Sequence, residues 1–218
     1  MKEKVYQIMR ERILYLVYKP RQILNEKVLA KEFGMSRSPI KDVLNRLEWD
    51  EFVRVIPRTG SMVTEIEFSK VMNVYQVRFE IEAFESRLAG EKFSSIHNEK
   101  LKDVYNNCIK LLNKKNCKAL AGIDASLREI IHDAAGNPVL AEVSDRLYSH
   151  TFRLWYTVLD KSDWREEVTA VINELEKLLE CFSCDNLKKL GEIRRNQLIT
   201  HFERLRNKFL GTTVISMT

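Results

Sequence analysis

Residues 25–63 of this 218-residue chain read NEKVLAKEFGMSRSPIKDVLNRLEWDEFVRVIPRTGSMV, and they contain the most specific structural pattern of the chain. The pattern predicts a short amphipathic helix that begins near Asn25, a good N-cap, and ends before Gly34. Ser36 is predicted to cap a further helix that carries Pro39 in its first turn, where a missing N–H costs nothing. Two helices joined by a short glycine-containing turn form a helix-turn-helix.

The segments on either side complete a small domain. Residues 4–18 carry apolar side chains at helical spacing, which predicts a first amphipathic helix. After the helix-turn-helix, the β-branched run 52–56 and the segment 61–64 flank a turn that contains proline and glycine, which predicts a β-hairpin. Three helices and this hairpin make a winged helix-turn-helix, which we assign to residues 1–66.

The remainder of the chain shows no strand pattern, and long helical patterns follow one another from residue 68 onward. We predict an all-α antiparallel bundle of about six helices over residues 67–211, followed by a disordered tail at residues 212–218. The predicted fold class is therefore mainly α.

Composition limits the class of protein. With 44% hydrophobic and 31% charged residues, the chain is expected to be globular. It has no apolar run near the roughly 20 residues that a membrane span needs and no secretory signal, so a cytoplasmic location and no membrane contact are expected. The net charge of +5 permits nucleic-acid binding without requiring it.

Cysteine usage argues against a disulfide framework or a zinc site. The chain has four cysteines, Cys108, Cys117, Cys181 and Cys184. The last two have CxxC spacing, but a structural zinc needs four ligands, and no second CxxC or histidine pair accompanies them. Half-buried thiols near a helix end are the favoured interpretation, with a metal or redox role as the alternative.

The third predicted helix carries the chemistry of a phosphate and base contact. A helix N-terminus attracts anions, so the hydroxyls of Ser36 and Ser38 are placed to hold a phosphate. Arg37 can reach the paired acceptors of guanine, and Lys41 lies one turn later on the same face. A capped helix with solvated basic residues is the alternative. The wing tip and Lys27 add further basic contacts, which favours DNA.

Three segments, 24–30, 34–48 and 57–63, together resemble the DNA-binding domain of the GntR superfamily. Residues 77–82 and 124–138 resemble the opening helix and a helix pair of the FadR-type effector domain, called FCD. Where the chain has Lys41, family members commonly have arginine, so a phosphate contact is expected there instead of bidentate base reading. The resemblance and the residue chemistry together predict these DNA contacts: Lys27, Ser36, Arg37, Ser38, Lys41, Arg58, Thr59 and Gly60.

This resemblance implies a bacterial, sequence-specific DNA-binding transcription regulator that has no enzymatic activity. Its expected partners are a pseudo-palindromic double-stranded operator, a second copy of the chain in a homodimer, and a small-molecule effector, of which an acidic one is a candidate. Effector binding in the bundle would modulate operator binding.

Many FCD domains hold a divalent metal with one aspartate and three histidines, but this chain departs from that pattern. Aligned on Asp124, the three histidine positions fall on Arg128, Glu174 and Asn196. The nearby His132 and His201 lie four and five residues from two of these positions, and the five-residue step is expected to turn His201 away. A fixed positive charge at residue 128 opposes a cation, so no metal and no other cofactor is expected.

Charge suggests what takes the metal's place. Arg128 is expected to bridge Asp124 and Glu174 as the floor of a ligand pocket, with a fixed internal ion network as the alternative. Arg78 would meet an acidic effector or pair with Glu82. The predicted effector pocket comprises Arg78, Asp124, Arg128, Glu174 and Asn196. The aromatic residues near Trp155 and Tyr156 are interpreted mainly as packing.

Two other functional classes remain as alternatives. A helical enzyme with an accessory winged helix would need a nucleophile, base or metal, and Asp124 and Glu174 have no histidine partner or phosphate-binding loop at a matching place. A winged helix used as a protein-interaction module would differ from a DNA-binding one in its salt dependence, because DNA binding through several basic residues weakens steeply as the salt concentration rises.

Overall fold

The computed structural model describes residues 1–183 and 187–211. Two compact units divide between Phe68 and Ser69, where the sequence analysis placed the boundary between residues 66 and 67. The predicted tail at residues 212–218 lies outside the described residues, and so does Cys184 of the CxxC pair. Each unit is described by itself below.

The first unit is a winged helix-turn-helix, as predicted. The β-strands form an antiparallel sheet in the order β1-β3-β2, and the β2–β3 hairpin pairs Arg54 with Met62. The elements in chain order are α1 (Lys2–Leu14), β1 (Ile23–Leu24), α2 (Glu26–Glu32), α3 (Arg37–Trp49), β2 (Val53–Ile56) and β3 (Gly60–Val63).

Local chemistry explains the element boundaries, including two that the sequence analysis missed. The Asn25 side chain caps α2 by accepting from the backbone N–H of Lys27 at 2.9 Å. The first helix ends at Leu14, four residues before the predicted end, and Leu16 beyond it has a left-handed backbone with φ +58°. Strand β1 was not predicted, because two residues are too few to show an alternating pattern.

One hydrophobic core orients the third helix. Met9 and Ile13 of α1 pack with the inner face of α3, and all of these side chains are at most 1% exposed. The inner face of α3 presents Ile40, Leu44 and Leu47. Since this face is buried, the first turn of α3 turns its polar side chains toward solvent.

The second unit is a helical bundle, and the part of it that the structure describes contains the six α-helices expected. A 3-10 helix follows α5 at Lys110–Asn113, and another precedes α9 at Leu187–Lys189. No helix among residues 1–183 and 187–211 is long and apolar enough to span a membrane. The α-helices are α4 (Phe68–Lys92), α5 (Ser95–Ile109), α6 (Cys117–Ala135), α7 (Pro138–Lys161), α8 (Trp164–Ser183) and α9 (Leu190–Leu210).

The bundle interior contains charged side chains, and a glycine lets two of its helices meet closely. Arg78 and Glu82 of α4, Arg128 of α6 and Arg194 of α9 are each at most 5% exposed. A Cβ atom on Gly191 would lie 2.6 Å from the backbone oxygen of Ala83, so α9 touches the backbone of α4 near Glu82. Buried charges are stable only when paired, so these residues define a site.

Candidate functional sites

A groove in the first unit collects the basic residues that the sequence analysis selected. Seven of the eight predicted DNA contacts line it, and the eighth, Ser36, lies exposed at the N-cap of α3. The hydroxyl of Ser36 makes no capping hydrogen bond, although the sequence analysis expected it to cap the helix. The seven are Lys27, Arg37, Ser38, Lys41, Arg58, Thr59 and Gly60.

Two features prearrange this groove. Arg37 is held by an ion pair with Glu26 of α2, with 3.2 Å between Nη2 and Oε2, while its side chain remains 62% exposed. At the wing tip, Arg58 has a left-handed backbone with φ +64°. Gly60 has φ +135°, and a Cβ there would lie 2.8 Å from the oxygen of Leu24. Glycine is therefore required where the wing turns back against β1.

A small cavity lies inside the second unit, among five helices. Its volume is about 30 Å³, which is room for about two water molecules. The wall combines charged, polar and aromatic side chains. They are Tyr75 and Arg78 of α4, Asp124 of α6, Tyr148, Thr151, Phe152 and Trp155 of α7, Glu174 of α8, and Arg194, Gln197, Leu198 and His201 of α9.

Behind this wall, the carboxylate of Glu82 pairs with three arginines. Its Oε1 lies 2.6 Å from Nη2 of Arg78 and 3.3 Å from Nη1 of Arg128, and its Oε2 lies 3.0 Å from Nη2 of Arg194. Burial alone would raise the pKa of Glu82, but the three guanidinium charges hold it well below its usual range. Glu82 therefore stays ionised and ties α4, α6 and α9 together.

Three other titratable groups of the wall have pKa values that are shifted mainly by burial. Burial raises the pKa of Glu174 to about 7, although Arg194 and Arg204 oppose the shift. Burial lowers the pKa of His201 well below its usual value, and the charge of Arg204 adds to the effect, so this imidazole is neutral. Burial and the charge of Asp124 raise the pKa of Tyr148, which keeps its proton.

The structure corrects the predicted role of Arg128. This side chain does not line the cavity and does not bridge Asp124 and Glu174. It pairs instead with Glu82 and, at 2.9 Å, with Asp145 of α7, and its guanidinium lies 4.1 Å from the ring centre of Tyr148. The side chain of Arg128 extends from α6 toward α4 and α7, which carry Glu82 and Asp145, whereas Glu174 belongs to α8.

The predicted register of the last helix is wrong by one residue. Asn196 is exposed, and Gln197 occupies the cavity wall, where its Nε2 donates to the backbone oxygen of Glu174 at 2.9 Å. His201 follows Gln197 by four residues, so it shares the same helix face and lines the cavity, contrary to expectation. Arg78, Asp124 and Glu174 do lie in the wall, as does Trp155.

Arg194 and Gln197 were not predicted from the sequence, and Glu82 was predicted only as a local partner of Arg78. A signal for α9 was available. Residues 194, 197, 198 and 201 repeat at three and four positions, which marks one helix face. Polar residues on a buried face indicate a site, but only the packing shows that the face is buried.

A second cluster lies on the outer side of α6. Burial alone would lower the pKa of His132, but hydrogen bonds to the carboxylates of Asp145 and Glu85 outweigh it and raise that pKa to about 9. His132 does not line the cavity. It joins the arginine network through Asp145, which also pairs with Arg128.

Comparison with protein families identifies both units. Residues 1–63 match the family model for bacterial regulatory proteins of the gntR family, and residues 73–183 match the model for the FCD domain. Both parts of the resemblance stated from the sequence are thereby confirmed.

Individual relatives agree with this assignment. The chain is 34% identical over 77 residues to the uncharacterized HTH-type transcriptional regulator YdhC of Bacillus subtilis. These 77 residues are 35% of this chain and 34% of YdhC. It is 21% identical over 158 residues to the HTH-type transcriptional repressor RspR of Escherichia coli, covering 72% of this chain and 69% of that protein.

A solved structure shows that the fold is shared along nearly the whole chain. The E. coli protein McbR superposes with a TM-score of 0.83 at 18% identity, covering 95% of this chain and 98% of that one. This chain therefore belongs to the gntR family of bacterial regulatory proteins, as a DNA-binding transcriptional regulator that carries an FCD domain.

Proposed function

We propose that the chain works as a cytoplasmic homodimer that binds a pseudo-palindromic operator through α3 and the wing. The observation that supports this is the groove that brings the basic residues of α2, α3 and the hairpin onto one face of the first unit. In this fold, the start of the second helix of the helix-turn-helix enters the major groove, and two copies read two half-sites. Arg37 would read a base, and Lys41 would hold a phosphate.

Operator binding tests the roles of these residues. Fluorescence anisotropy with the selected operator and with unrelated DNA should show that Arg37→Ala relaxes sequence preference, at a cost of about 1–3 kcal/mol. Lys41→Ala should weaken binding to both DNAs about equally and lower the salt slope by about one. The matched control is Lys4→Ala on the exposed surface of α1. Binding that is insensitive to salt would refute the DNA role.

We also propose that a small molecule bound in the cavity of the second unit modulates operator affinity. The support is the cavity itself, which is enclosed by arginine, carboxylate and amide groups from four helices and by hydroxyl and aromatic groups from α7. Because linkage is reciprocal, any effector that weakens operator binding must itself bind more weakly to the operator complex.

A divalent metal does not fit this wall. The family's aspartate persists as Asp124, but the other positions carry Glu174 and Gln197, and the side chain of Arg194 stands among them. Among the described residues, no group of three or more His, Cys, Asp or Glu side chains is arranged to hold a metal ion. A cation would face the buried guanidinium groups of Arg78 and Arg194, so we propose that the site works without metal.

Native mass spectrometry of the purified protein, with elemental analysis of the same sample, tests the dimer and the metal-free cavity together. We expect a dimer that contains no stoichiometric metal and carries a small organic mass. A stoichiometric transition metal would refute the metal-free proposal, and a monomer at all concentrations would refute the dimer.

A further inference from the structure

The groove of the first unit that carries the predicted DNA contacts also contains a carboxylate. Among the described residues that line it, Glu26 is the only acidic one, and four are basic. A carboxylate in such a groove repels the phosphate backbone, so it opposes binding to DNA of any sequence. The position of Glu26 therefore needs a reason other than general DNA affinity.

Glu26 pairs with one of the four basic residues. Its Oε2 lies 3.2 Å from Nη2 of Arg37, in a hydrogen-bonded ion pair. No carboxylate of the described residues pairs with Lys27, Lys41 or Arg58. The carboxylate thus restrains the side chain that is expected to read a base and leaves the other three cations unpaired.

The packing of α2 on α3 fixes the backbone on both sides of this ion pair. Asn25 caps α2 directly before Glu26, because its side chain accepts from two backbone N–H groups of the first turn. Leu29 of α2 and Ile40 of α3 are both buried in the core of the unit. The side chain of Glu26 is 29% exposed, whereas that of Arg37 is 62% exposed. Glu26 is therefore a well-placed acceptor for a long side chain that would otherwise sample many rotamers in solvent.

The contact with Glu26 leaves Arg37 able to read a guanine. The two hydrogens of Nη2 belong to different edges of the guanidinium group, one shared with Nε and one shared with Nη1. Glu26 takes one of these hydrogens, so an edge with two parallel donors remains whichever one it takes. Guanine presents O6 and N7 as paired acceptors for such an edge. The ion pair can therefore persist while the base is read.

We propose that Glu26 is a positioning residue, which holds the guanidinium of Arg37 in its base-reading orientation and so raises the sequence preference of the protein. A restrained arginine loses less side-chain freedom when it binds the operator. The negative charge disfavours unrelated DNA, to which the basic residues bind through phosphates alone. Both effects widen the difference in affinity between operator and unrelated DNA. This inference rests on the proposed operator binding through α3 and adds a residue that sets its specificity.

Removal of the carboxylate tests the proposal. Fluorescence anisotropy of the full-length protein uses two duplexes, one recovered by in vitro selection with this protein and one in which the same bases are shuffled. For Glu26→Ala, we expect tighter binding to the shuffled duplex and a sequence preference, the ratio of the two Kd values, that falls roughly tenfold. Glu26→Gln removes the charge but keeps an acceptor for Arg37, so it should retain more of the preference than Glu26→Ala.

A second carboxylate of α2 provides the matched control. Glu32 pairs with Arg12 of α1 and does not line the groove. Glu32→Ala changes the net charge by the same amount as Glu26→Ala, so it should leave the sequence preference unchanged. The melting temperature of each variant shows that the first unit is folded under the conditions of the assay.

The double variant Glu26→Ala/Arg37→Ala separates positioning from direct contact. If Glu26 acts through Arg37, its removal in the Arg37→Ala background should leave the sequence preference unchanged. A further fall in that background would show that Glu26 contacts a base itself and would overturn the positioning role. Equal tightening on both duplexes by Glu26→Ala alone would also overturn it, because charge repulsion would then account for the whole effect.

Failure of the proposed function has a different signature. A sequence preference that Arg37→Ala leaves unchanged would show that the start of α3 does not read the operator. A preference that Arg37→Ala lowers and Glu26→Ala leaves unchanged would refute the positioning role alone.

Discussion

Replacement of Glu82 by glutamine tests the buried ion network most directly. The substitution keeps the shape of the side chain but leaves the guanidinium groups of Arg78, Arg128 and Arg194 without their shared negative charge. Removal of one partner from a buried ion pair costs about 3–5 kcal/mol. In a unit of this size, each kcal/mol lowers Tm by about 2–4 °C, so we expect the transition of the second unit to fall by about 6–20 °C.

The matched control lies on the same helix. Glu80 also pairs with an arginine, at 2.9 Å from Arg195, but its side chain is 67% exposed, so Glu80→Gln should cost less than about 1 kcal/mol. Thermal unfolding followed by tryptophan fluorescence in a Trp49→Phe background reports on the second unit through Trp155 and Trp164. Equal Tm values for the two variants would refute the claim that Glu82 holds the arginines.

The same variant has a signature in its pH dependence. Because the folded-state pKa of Glu82 is lowered, its contribution to stability is present above about pH 4.5 and is lost as the pH falls below that value. The Tm difference between the unsubstituted protein and Glu82→Gln should therefore shrink in acid. A difference that stays constant from pH 7 down to the acid transition would contradict the assigned pairing.

Three further predictions concern pH and the wing. The pKa of Glu174 is raised to about 7, so the stability of the unsubstituted protein falls as the pH rises from 5 to 8. Glu174→Gln lacks this titration, so its free energy of unfolding in urea, relative to that of the unsubstituted protein, should rise by up to about 3 kcal/mol over that range. The pKa of His132 is raised to about 9, so its contribution is full below about pH 6.5 and lost as the pH rises through 9. His132→Gln should thus destabilise more at pH 6 than at pH 9.5, and an equal loss would refute the pairing with Glu85 and Asp145. Gly60→Ala should destabilise the first unit by more than about 1 kcal/mol, because residue 60 has a φ of +135° and an added Cβ would meet the backbone oxygen of Leu24. The same variant should weaken operator binding in the anisotropy assay. Unchanged stability would show that the wing turn tolerates a side chain.

The first unit was predictable because its signals are local. Asn25 and Gly34 mark the two ends of α2 through a capping hydrogen bond and a left-handed backbone, and both effects act within a few residues. The DNA-binding residues are also close together in sequence. The end of α1 was missed because apolar spacing continues past Leu14 to Tyr18, whose buried side chain belongs to the following turn and not to the helix.

The cavity was only partly predictable because its wall comes from five helices. Arg78, Asp124 and Glu174 were selected correctly as wall residues by residue type and family position. The choice of Asn196 over Gln197 was wrong because one residue along a helix turns the side chain by about 100°. Residue types alone also could not show that Arg128, one turn from Asp124, pairs with Glu82 on a different helix.

Sequence patterns alone predicted the order of the α-helices, the wing hairpin and the two-unit organisation, because helical periodicity, caps and turn residues act over short distances along the chain. The family was indicated by the resemblance of the sequence motifs. Which charged side chains pair with one another depends on the tertiary structure. Glu82 gathers arginines from 46 and 112 positions further along the chain, and those pairings depend on helix packing and burial, which periodicity does not encode.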